Sequence, residues 1–147
     1  MFKNILCAID GSEHALKAAE VASTLAARFD ARLTFLTVTR QLKITPELKH
    51  YLAIENLAGE PQYILDEYTE QILTTAREKA RAAGLTKVKT EIREGQPARA
   101  IVAFAERSKA DTIVLGSRGL GDIEGVLLGS VSHKVATLAK STVITVK

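Results

Sequence analysis

The stretch LGSRGLGDIEGVLLGSVSHKV, residues 115–135, holds five of the chain's nine glycines. It follows directly on the apolar run DTIVLG (111–116) and leads into a segment from Ser130 to Ala139 with helical patterning. A strand, a loop rich in backbone freedom and a helix therefore succeed one another. Whether that unit recurs along the chain decides the fold.

It does recur. NILCAI (4–9) is nearly all apolar, as a strand buried on both faces should be. SEHALKAAEVASTLAARF (12–29) then places Ala15, Leu16, Ala19, Ala22, Leu25, Ala26 and Phe29 at spacings of three and four, behind Ser12 as N-cap, and predicts a helix. RLTFLTV (32–38) reads as the second strand. Residues 41–84 are mostly helical with a break near AGEP (58–61), and KARAAG closes them with basic residues and a glycine stop.

KVKTEIRE (87–94) alternates more than the other strands, which predicts an edge position with one wetter face. QPARAIVAFAERSK (96–109) carries proline near its first turn and an apolar stripe through Ala100, Ile101, Phe104 and Ala105, so a helix follows. TVITVK (142–147) is the last strand. No low-complexity tract or internal repeat interrupts the series.

Strands alternating with helices imply parallel β-α-β units with right-handed crossovers, hence a five-stranded parallel α/β sheet with helices on both faces. At 147 residues the chain fits one domain, residues 1–147. With 46% apolar and 25% charged residues and no run of eighteen uncharged apolar ones, it reads as a globular protein without a membrane span. MFKNILCAIDGS offers too short an apolar region for a secretory signal, so the expected location is cytoplasmic.

The net charge is +3, but the basic residues are spread among seventeen acids, and there are only three tyrosines, four phenylalanines and no tryptophan. This argues against a nucleic-acid interface. The single Cys7 sits inside the first apolar run, where an inert buried thiol is expected and no internal disulfide can form. His14, His50 and His133 are too far apart in sequence to form a local metal motif and read as surface or helix-packing residues. No Gly-x-Ser-x-Gly elbow or other nucleophile motif is visible, and no catalytic residue is assigned.

In such sheets ligands bind beyond the carboxyl ends of the strands, where the strand order reverses. The residues to inspect are 10–12, 37–40, 95–97 and the glycine-rich stretch. Gly116 and Gly119 bracket the exit of the fourth strand, and Gly129 and Ser130 open the last helix. Glycines allow consecutive N–H groups to converge on an anion, a helix start adds unpaired N–H groups, and Ser130 or Ser132 can add a hydroxyl. A flexible loop with a capped helix is the plainer alternative.

Two common phosphate loops are excluded: no Gly-Lys-Ser/Thr occurs, and GLGDIE (119–124) has Glu124 where the dinucleotide fingerprint needs its third glycine.

The spacing that is present, Gly116-x2-Gly119-x9-Gly129-Ser130, resembles the signature of the ATP-binding branch of the universal stress protein family, and ILCAIDGSEHALKAAEVA resembles that family's first strand and helix. The resemblance spans essentially the whole chain, residues 41–84 least. It implies a Rossmann-like fold of the adenine-nucleotide α-hydrolase kind, with strand order 3-2-1-4-5, and an ATP-binding regulatory protein of the stress response with at most slow hydrolysis.

Carried over residue by residue, the resemblance sets the triphosphate against Gly119, Gly129, Ser130, Val131 and Ser132, with Gly116 and Arg118 on the ribose-phosphate side. Asp10 matches an acidic residue near the ribose and a Mg²⁺ ion, and Ile9 and the Val38 backbone match positions that contact adenine. Another adenine nucleotide could take the place of ATP. Asp10 also has a structural reading, since aspartate in Asp-Gly-Ser commonly orders a turn, and Arg118 could be simply solvated. Asp122 and Glu124 must point outward, act through a metal, or weaken the site.

The resemblance also implies a homodimer paired through the C-terminal strand and a regulated protein partner of unknown identity. Here KSTVITVK has Ser141 and Thr142 where Cys-Pro is frequent, a departure that restores a backbone donor. The expected moving elements are the loop 120–128 and, as a second lid, residues 41–62.

Two rivals stand beside this reading. One is a nucleotide-free interaction module of the same family. The other is an enzyme splitting ATP between the α- and β-phosphates, but that group carries Ser-Gly-Gly-x-Asp-Ser after its first strand where this chain has DGSEHA.

Overall fold

The computed structural model describes residues 1–40, 45–54, 60–120 and 128–147. In chain order the elements are β1 (Asn4–Ala8), α1 (Glu13–Phe29), β2 (Arg32–Thr39), α2 (Pro46–Ile54), α3 (Glu60–Ala82), β3 (Lys89–Glu94), α4 (Pro97–Ser108), β4 (Thr112–Gly116), α5 (Ser130–Leu138) and β5 (Thr142–Val146). All strand pairs are parallel, and the sheet order is β3-β2-β1-β4-β5. The strand order and the edge position expected for 87–94 both hold. The Pro61 at the expected break belongs to the first turn of α3, where proline's missing N–H costs nothing.

The period of two in a strand explains how one apolar run serves both faces. On β1, Ile5 and Cys7 face α1 and α3, packing with Phe35, Ala22 and Leu73, while Leu6 and Ala8 face α4 and α5, packing with Leu36, Ile101 and Val135. Cys7 is fully buried, and desolvation pushes its thiol far above the ordinary range, consistent with an inert side chain.

The buried stripe of α1 is shifted from the sequence expectation. Ala15, Ala18, Ala19, Ala22 and Ala26 are buried, whereas Phe29 is 54% exposed. An alanine face lets the helix lie close to the sheet, so larger side chains move to its margins. Phe29 instead pairs with Phe2, ring centroids 5.0 Å apart. On α4 the buried stripe uses Ala98 rather than Ala100, with Ile101, Phe104 and Ala105 as expected.

Gly116 shows how tight the α1 contact is. A Cβ there would lie 2.8 Å from His14 Cβ and 2.9 Å from backbone atoms of His14 and Ala15. The start of α1 thus rests on the end of β4.

Candidate functional site

The strand order reverses between β1 and β4, because α1 carries the chain to one side of β1 and α4 carries it to the other. The segments leaving those two strands therefore part company at their carboxyl ends. A cavity of about 430 Å³ opens there, within the ordinary range for small-molecule sites.

One part of its wall is apolar, with Ile9 from the β1 exit, Leu36 and Val38 from β2, Pro97 and Ile101 from α4, and Leu115 from β4. The polar part comprises Asp10, Ser12, Arg40, Arg118 and Gly119, together with the helix start Ser130, Val131 and Ser132.

That helix start differs from those of α1, α2 and α4. Ser12 accepts from Ala15 N at the start of α1, Thr45 from Leu48 N at α2, and Gln96 from Arg99 N at α4. At α5 the N-cap is Gly129, and no side chain caps it. The first N–H groups of a helix have no partner within it and carry its positive dipole end. Here they lie at residues that line the cavity, so an anion placed there would meet donors that no side chain among the described residues has claimed.

Ser132 lines the cavity from the first turn of α5. Its buried hydroxyl donates within the protein, 2.7 Å from the Ser117 carbonyl and 3.1 Å from that of Gly129. Its hydroxyl proton is not free for a ligand, and what Ser132 retains is its place in the helix's first turn. Gly129 is not among the described cavity-lining residues, and its N–H donates to Ser117 O at 2.6 Å.

Asp10 does what its Asp-Gly-Ser context suggests and more. One carboxylate oxygen accepts from Ser12 N at 2.9 Å, closing the turn, and the other accepts from Leu120 N at 3.1 Å. The carboxylate thus joins the β1 exit to the β4 exit across the cavity. Gly11 within this turn has φ +85°, a backbone conformation that favours glycine.

Arg118 lines the cavity with one guanidinium nitrogen 3.2 Å from His14 Nε2. At the same helix start, Glu13 is held below the usual carboxylate range by the hydrogen bond and charge of Lys17, with smaller help from His14 and Arg118.

Of the ten residues singled out from sequence, the structure brings Ile9, Asp10, Val38, Gly116, Arg118, Gly119, Ser130, Val131 and Ser132 to one cavity. Asp122 and Glu124 lie outside the described residues, as do residues 121–127 of the loop 120–128 and residues 41–44 and 55–59 of the segment 41–62. Arg40 and Pro97 fell in the strand-exit windows without being chosen. Ile101 and Leu36 were missed as wall residues because in sequence they are indistinguishable from core positions. Among the described residues no group of three or more His, Cys, Asp or Glu side chains is arranged to hold a metal ion, and no helix is long and apolar enough to cross a membrane.

An all-parallel, doubly wound sheet with a cavity at its strand-order switch defines a Rossmann-like α/β protein. The chain belongs to the universal stress protein family, whose model matches residues 1–147. It is 34% identical over 154 residues to universal stress protein YxiE of Bacillus subtilis, covering 100% of both chains. Among solved structures, it is similar to a universal stress protein in complex with cAMP, at 30% identity and a TM-score of 0.70, covering 99% of this chain and 96% of that one. It is also similar to the universal stress protein UspA from Lactobacillus plantarum, at 31% identity and a TM-score of 0.72, covering 99% and 98%.

Proposed function

We propose that the chain works as a single-domain, cytoplasmic regulatory protein of the stress response that binds ATP, or another adenine nucleotide, in the cavity between the β1 and β4 exits. The observation that carries this reading is the start of α5, the helix whose first N–H groups line a cavity and lack a capping side chain. The apolar wall residues Ile9, Val38 and Ile101 suit a flat base, and the helix-start residues suit phosphates. The related universal stress protein structure with cAMP supports the choice of an adenine nucleotide.

The residues present fit such a ligand. Arg118 and Arg40 supply positive charge at the wall. Each oxygen of Asp10 accepts one backbone N–H and keeps lone-pair capacity for a Mg²⁺ ion or a ribose hydroxyl. The described wall contains no lysine and only Asp10 as a carboxylate base, which favours binding with at most slow hydrolysis.

To regulate, the nucleotide must favour one conformation over another, and the readout must reach a partner protein. A homodimer through β5 is part of this reading. Its Thr-Val-Ile-Thr-Val edge carries no charge, unlike the opposite edge with Lys89, Glu91, Arg93 and Glu94. An uncharged edge suits strand pairing with a second copy.

The deciding experiment is mass spectrometry of nucleotide released from freshly purified protein, followed by titration calorimetry with ATP and Mg²⁺. Bound adenine nucleotide with micromolar affinity, on the order of −8 kcal/mol, is expected. An empty protein that ignores ATP would transfer the reading to the nucleotide-free interaction module. For the dimer, Thr142→Lys with Thr145→Lys sets like charges along the exposed edge, and light scattering should then report a monomer where the parent protein is a dimer.

A further inference from the structure

Ser117 is 1% exposed and bonded in three directions. Its N–H donates to Val146 O at 2.7 Å, its carbonyl accepts from Gly129 N and Ser132 Oγ, and its hydroxyl lies 2.9 Å from His14 Nδ1. The residue just before Arg118 is therefore fixed to β5, to the start of α5 and to α1. His14 is fixed as well, because the end of β4 meets its backbone and Cβ so closely that only glycine fits at position 116.

The second ring nitrogen of His14, Nε2, is 3.2 Å from Arg118 Nη2. A guanidinium has only donors, so Nε2 must accept. The ring proton then sits on Nδ1 and is donated to Ser117 Oγ. His14 is not part of the cavity wall, whereas Arg118 is. Both nitrogens of a residue outside the cavity are thus spent on holding a cation at its edge.

We propose that His14 is a positioning residue for the phosphate of the bound ligand: anchored by Ser117, it holds the Arg118 guanidinium at the cavity wall and leaves that group's other N–H donors for the anion. An arginine free in solvent must give up rotamer freedom on binding, and one already held gives up less. This inference rests on the nucleotide-binding reading above.

The test uses the full chain and ATP. His14→Ala and Arg118→Ala should each weaken ATP binding about tenfold, and the double variant should be no weaker than either single one by more than about twofold, because the two changes remove one device. His14→Gln, whose side-chain oxygen can accept from Arg118, should restore affinity to within about threefold of the parent. Adenosine, which lacks phosphate, should bind the parent and all four variants alike.

In the ligand-free protein, ¹⁵N shifts of the His14 ring should show the Nδ1–H tautomer, and Arg118→Ala should change them. Additive losses, failure of His14→Gln to rescue, or an Nε2–H tautomer in the parent protein would each overturn the proposal. Parent protein that binds no adenine nucleotide would instead overturn the functional reading and with it the phosphate role. The ring shifts still decide the His14–Arg118 link in that case, so the two failures are distinguishable.

Discussion

Asp111 and Asp10 sit at opposite ends of the same sheet, and each carboxylate accepts backbone N–H groups, with different consequences. At the amino end, Asp111 accepts from Lys3 N, Asn4 N and the Thr112 hydroxyl, while its own carbonyl accepts from Thr142 N. Asn4 adds a side-chain bond to Ser108 O, and Ser141 one to Ala110 O. That end is stitched shut around β1, β4 and β5. At the carboxyl end, Asp10 joins two segments that are leaving the sheet for different helices, and a cavity remains between them. The same residue type contributes cohesion where strands arrive together and shape where they diverge.

The largest expected effect lies at the open end. Gly129→Val with Ser130→Ala puts bulk at the uncapped helix start and should weaken ATP binding at least a hundredfold, about 3 kcal/mol, with oligomeric state and melting behaviour retained. Unchanged affinity in calorimetry would remove the cavity from the functional account.

Gly116→Val tests whether the glycine-rich loop also serves packing. Its Cβ would press on backbone atoms of α1, and the expected loss is about 2–3 kcal/mol in urea unfolding. A neutral result would mean that α1 can shift and that the contact with β4 is loose.

At the closed end, Asp111→Ala should cost about 2 kcal/mol of stability while leaving nucleotide affinity untouched. Burial pushes the Asp111 carboxyl up, but hydrogen bonds from Thr112, Asn4 and Lys3 outweigh it and hold the group below the usual carboxylate range. A depressed native pKa means that its contribution is fully present above the unfolded value, about 3.9, and is lost as pH falls through the lower native value. Acid unfolding of the variant should therefore show a shallower loss below about pH 4; identical acid limbs would show that Asp111 is not the group concerned.

Asp10→Ala should have the smallest effect on stability, about 1 kcal/mol, yet lower ATP affinity about tenfold. If instead it destabilised the fold as much as Asp111→Ala without touching affinity, the two ends would be doing the same job.

Much of this was legible from residue patterns. The alternating apolar runs fix the β-α-β series, and the charged alternation of 87–94 marks an edge strand. Ser12, read as an N-cap, does cap its helix. The strand-exit rule marked the windows 10–12, 37–40, 95–97 and the glycine-rich stretch, and the family resemblance then singled out residues 10, 38, 116, 118 and 119 within them, all of which line the cavity. What escaped was contact between distant segments. His14 read as a packing histidine, and nothing local announces that it meets Ser117 and Arg118 more than a hundred positions away. Gly116 read as a cradle residue, and only the approach of α1 reveals its packing duty.

The sequence by itself determined the element order, the two-faced β1 and the family signature, because periodicity and turn chemistry act over a few residues. Tertiary structure alone decided which hydroxyls and ring nitrogens remain available at the cavity. Hydrogen bonds are assigned by proximity in space: Ser132 gives its proton to Ser117, Asp10 reaches Leu120, and the start of α5 is left uncapped.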